Sequence, residues 1–88
     1  MLVILVVFNA SITNNFIMNK PFLKQLGKNI KKYRLQSNLT QDDVGINGIS
    51  RSMISLVEIA QSDITVSKLK IIADNIGIKV RDLFDFEE

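Results

Sequence analysis

From residue 20 onward, apolar residues recur at the three- and four-residue spacing of amphipathic helices. Phe22, Leu26, Ile30 and Tyr33 line one side of the first such stretch, with lysines between them. Pro21 suits its first turn, where a missing N–H costs nothing. Ser37-Asn38 closes it, so the pattern predicts a helix over about 21–37. Thr40 offers a hydroxyl N-cap, and Asp43 completes a capping box with a shorter acid than usual. Asp42 and Asp43 put negative charge where the helix dipole favours it. A short helix over about 41–46 follows, then the Asn47-Gly48 turn signal. Ser50 caps a third helix, about 51–60, with Ile54 and Val57 inward. After a loop over 61–64, Thr65 caps a fourth, about 66–76, striped by Leu69, Ile72, Ala73 and Ile76 and stopped by Gly77. A last short helix, about 79–85, carries Val80, Leu83 and Phe84. The expectation is an all-α, five-helix domain. Its second and third helices outline a helix-turn-helix, although an ordinary small bundle with a tight corner has the same outline.

Residues 1–19 read as an N-terminal extension to a domain over 20–88. Leu2 to Phe8 is a continuous apolar run rich in valine and isoleucine. It is far shorter than the ~20 residues that cross a bilayer, and it lacks the basic flank of a signal peptide. Two readings remain open: a short strand or arm that packs on the domain or pairs with another copy, or a chain whose translation starts at Met18. The second is favoured, because MNKPFLKQLGKNIKKYR opens like a small domain.

Composition narrows the chemistry. The 88 residues are 47% hydrophobic and 23% charged, with neither cysteine nor histidine. The commonest general base, the best nucleophile and the usual zinc ligands are therefore missing. Neither an enzyme nor a metal or other cofactor is expected. The acids Asp82, Asp85, Glu87 and Glu88 at the end read as a solvated tail rather than a metal site. Net charge is +2, but it is unevenly spread: Lys20, Lys24, Lys28, Lys31, Lys32 and Arg34 run without an intervening acid. A basic first half suits a polyanion, and equally a solvated helix face.

Residues 26–85 resemble the Cro/C1-type (Xre-like) helix-turn-helix of bacterial and phage transcriptional regulators. The carrying stretches are LGKNIKKYRLQSNLTQDDVG, ISRSMISLVE and ITVSKLKIIADNIGIKVRDLF. The run TQDDVGINGIS is one residue shorter than the usual pattern. That turn, and the phrase SDITVSKL, resemble the DNA-binding domains of Rgg and PlcR regulators. Those regulators carry a sensor after this domain, so a stand-alone regulator and a domain separated from its sensor are both open. The resemblance implies a cytoplasmic double-stranded DNA-binding protein, no membrane association, and a homodimer on a pseudo-palindromic site.

It also implies roles for residues. Gln41 would grip the DNA backbone at the start of the second helix. Ser50, Arg51, Ser52, Ser55 and Leu56 would face the major groove. Arg51 is the best reader, since its fork matches guanine O6 and N7; the alternative is a phosphate contact. Leu56 would meet a thymine methyl or a protein. Lys28 would join them where the first helix faces the backbone. Arg34 and Glu58 match an ion pair between the first and third helices, expected to be partly buried. Val80, Leu83, Phe84 and Phe86 would form the dimer surface, or else close the monomer core. Two departures weaken the resemblance: the loop Ala60-Gln61-Ser62-Asp63 has no positive charge, and Gly45 replaces the usual alanine. The competing function is a protein-interaction module, antitoxin-like or adaptor, with weak DNA binding.

Overall fold

A computed structural model describes residues 18–86, and among them all regular structure is helical. Four α-helices follow one another: α1 Lys20–Gln36, α2 Gln41–Val44, α3 Arg51–Glu58 and α4 Val66–Ile76. The expected fifth helix is instead a short 3₁₀ helix, Val80–Phe84. The all-α class holds, with four helices rather than five. Residues 1–17 of the expected extension 1–19, and the tail residues Glu87 and Glu88, lie outside the described residues.

Each of the four α-helices starts on a side chain that takes one of its unpaired N–H groups. Asn19 accepts from the Phe22 N–H, Thr40 from Asp43, Ser50 from Met53 and Thr65 from Lys68. The Thr40–Asp43 capping box is complete, since the Asp43 carboxylate accepts from the Thr40 N–H at 2.7 Å. Helix α4 ends at Gly77, which adopts the left-handed conformation expected of it (φ 93°).

One apolar core joins the helices: Leu23, Leu26 and Ile30 of α1, Val44 of α2, Ile54 and Val57 of α3, and Leu69, Ile72, Ala73 and Ile76 of α4. Leu83 is fully buried and seals one end, where the 3₁₀ helix packs on α1 and α4. The α1 stripe differs from expectation at its start. Leu23 is buried and Phe22 stands outside, 40% exposed.

Two buried or half-buried asparagines, not singled out in the sequence, fix the connections. Asn29 donates from Nδ2 to the carbonyls of Leu83 (2.9 Å) and Asp85 (3.2 Å). Both bonds tie α1 to the end of the 3₁₀ helix. Asn75 donates to the carbonyls of Val44 and Ile46, both at 3.0 Å, and accepts from Asn47 at 2.8 Å. It clamps the turn between α2 and α3. Within that turn Asn47 and Gly48 both have positive φ, 57° and 90°, as the Asn-Gly signal demands.

Candidate nucleic-acid interface

Gly45 builds the corner. It is not inside a helix, as the family register implied, but caps the C-terminus of α2. A Cβ placed on it would lie 2.8 Å from the Arg51 backbone nitrogen. Only a residue without a side chain lets α3 start this close to α2. Helix α2 is thereby cut to a single turn, so its dipole contributes less than a longer helix would.

Beneath the corner lies the ion pair. Arg34 Nε donates to Glu58 Oε2 at 2.6 Å and Nη2 donates to Oε1 at 2.9 Å. The third arm of the fork, Nη1, donates to the Leu39 carbonyl at 2.9 Å. The two side chains are only 7% and 2% exposed, more deeply buried than expected. The Glu58 carboxylate raises the pKa of Arg34 against the opposing effect of burial. Every buried side-chain polar atom among the described residues has a partner. The pair therefore fixes the orientation of α3 on α1 without leaving a charge uncompensated.

Gln41 belongs to this network too. Its Nε2 donates to Glu58 Oε1 at 3.1 Å, so one amide hydrogen points inward. The outward half of the corner is an open cleft lined by Gln41, Arg51, Ser52, Ser55 and Leu56. Five of the seven residues expected at the DNA surface are thus brought together. Ser50 sits beside them as the exposed N-cap of α3. Lys28 does not join them. It lines a separate cleft with Gln25, Asn29, Lys32 and Phe86. Met53 packs half-buried against the core, while Leu56 is 45% exposed. Arg51 reaches back to α2, with Nε 3.6 Å from Asp42 Oδ1. Lys70 pairs with Asp74 one turn along α4, at 2.6 Å.

At the other end of the molecule Phe22, Phe84 and Phe86 cluster. Ring centroids are 5.4 Å apart for Phe22–Phe86, 6.1 Å for Phe22–Phe84 and 6.3 Å for Phe84–Phe86. Phe84 is 41% exposed and Val80 and Phe86 are half-buried, but Leu83 is wholly inside. Leu83 therefore closes the monomer core and is removed from the expected dimer surface. Among the described residues no group of three or more His, Cys, Asp or Glu could hold a metal ion. No helix among them is long and apolar enough to cross a membrane.

Residues 30–83 match the helix-turn-helix family, more than half of the chain. Among solved structures the fold is similar to the crystal structure of the restriction-modification controller protein C.AhdI from Aeromonas hydrophila. The TM-score is 0.68 and the sequence identity 25%, over 70% of this chain and 96% of that one. No curated protein matches the sequence.

Proposed function

The chain belongs to the Cro/C1-type helix-turn-helix family, and on that premise we propose that it is a transcriptional regulator that reads the major groove of duplex DNA with α3. Family membership and the likeness to a controller protein support a DNA-binding regulator rather than an enzyme. The observation that carries the finer reading is the convergence of Gln41, Arg51, Ser52, Ser55 and Leu56 on one open face of α3, held by the buried Arg34–Glu58 pair.

Arg51, at the first position of α3, presents its fork to guanine, a pairing good for about 1–3 kcal/mol of discrimination. Ser52 and Ser55 add weaker polar contacts, and Leu56 meets a thymine methyl. Gln41 offers the amide hydrogen not used by Glu58 to a phosphate, and Ser50 offers its hydroxyl. Phosphate contacts are few, since Lys28 lies in another cleft and the loop after α3 carries no cation. Affinity therefore depends only modestly on salt.

The protein acts as a dimer. One domain of this size contacts too few base pairs for useful specificity. Phe84 and Phe86, with Phe22 and the edge of Val80, form the exposed aromatic surface through which two copies meet. The competing reading, a protein-interaction module, draws on the exposed Leu56 and on the separation of Lys28 from the α3 cleft.

Arg51→Ala tests the reading. Its binding to a preferred duplex, selected from a random pool, falls by more than its binding to random DNA. Equal loss on both would make Arg51 a phosphate contact.

A further inference from the structure

We propose that Asp42 is a specificity-determining residue of this face, a positioning residue that holds Arg51 in its reading pose. The inference rests on the DNA-binding reading above. Asp42 Oδ1 lies 3.6 Å from Arg51 Nε, and both side chains are largely exposed, 78% and 66%. A pair this exposed does little for stability, so its consequence is geometric. The neighbouring acid, Asp43, is committed to the Thr40 N–H, which leaves Asp42 to face Arg51. The contact lies on the Nε edge, and among the described residues no side-chain or backbone acceptor takes a hydrogen bond from either Nη group. The two Nη groups are the parallel donors that guanine O6 and N7 require. An arginine already restrained at one edge loses less side-chain freedom on binding.

The carboxylate also opposes the wrong use of the same side chain. Swinging Arg51 toward a phosphate would bring that phosphate toward Asp42, a like-charge approach that penalises random DNA. The short corner makes the pair geometrically accessible. With no Cβ on Gly45, the start of α3 can approach α2 within a distance that a side chain would forbid.

The test is a double-mutant cycle with the full chain, using Asp42→Asn, Arg51→Ala and both together. Affinities are read by fluorescence anisotropy on the selected duplex and on random duplex, with circular dichroism confirming folding. Asp42→Asn lowers the selected-to-random preference by roughly tenfold, within the range one arginine–guanine pair supplies. In the Arg51→Ala background Asp42→Asn leaves the preference unchanged. Asp42→Glu, which keeps the charge, retains part of it. The proposal is overturned if Asp42→Asn tightens both duplexes by one factor, with or without Arg51; Asp42 would then be only a like charge near phosphate. The underlying reading fails by a different result, a wild-type chain that does not distinguish the two duplexes.

Discussion

Gly27 and Val57 meet without a side chain between them: a Cβ on Gly27 would stand 2.5 Å from the Val57 carbonyl oxygen, and 2.7 Å from that of Glu58. Helix α1 therefore crosses the end of α3 at backbone contact. Both obstacles are backbone atoms, so neither can move without shifting α3.

Gly27→Ala consequently destabilises the domain by about 1–3 kcal/mol, the usual cost of overpacking, although alanine is the better helix former. Urea denaturation reads this as a lower midpoint. An unchanged midpoint would mean that α1 and α3 separate freely, and the rigid placement of the reading helix would be wrong.

Arg34→Met leaves the Glu58 carboxylate buried with only Gln41 as its side-chain partner. The loss is about 3–5 kcal/mol, a large part of the total stability of a domain this size. Adding Glu58→Leu removes the orphaned charge and recovers most of the loss. If the double variant is as unstable as Arg34→Met, the damage lies in packing rather than charge.

Asp43 carries a pH dependence. The Thr40 N–H holds its carboxyl below the ordinary value of 3.8. A depressed folded-state pKa adds stability that is fully present above the unfolded value and is lost as pH falls through the folded one. The stability difference between wild type and Asp43→Asn therefore shrinks on acidification below about pH 4. Denaturation at several pH values checks this, and a constant difference would contradict the cap.

Phe84→Asp shifts the protein toward monomer in analytical ultracentrifugation while its helical circular dichroism persists. Leu83→Asp, by contrast, unfolds it, because Leu83 is fully buried. Unfolding by Phe84→Asp would place that ring in the core instead.

The helices were legible because their signals are local. Caps at Thr40, Ser50 and Thr65 and the stop at Gly77 act within one turn of chain, and sequence alone marks them. The ion pair and the α3 face came from the family resemblance, which carries long-range register that periodicity lacks. The asparagines were missed because their partners lie far along the chain: Asn29 bonds residues 83 and 85, and Asn75 bonds 44, 46 and 47. A polar residue beside the α1 stripe at Leu26 and Ile30 was the one available hint. Phe22 departs from the expected stripe for a related reason, and for Leu83 the core alternative holds over the dimer surface. Two apolar neighbours both fit a helical stripe, and which one turns inward depends on where the C-terminal segment packs. Lys28 joins Arg51 only where α1 faces the DNA backbone, and helix packing puts it beside Phe86.

The most direct measurement is a salt titration of wild-type binding to a selected duplex, with random duplex as competitor. A helix-turn-helix regulator that reads bases through Arg51 and touches few phosphates prefers its site and shows a shallow dependence on salt. Binding without site preference that vanishes near physiological salt would contradict it, and would turn attention to a protein partner at Leu56.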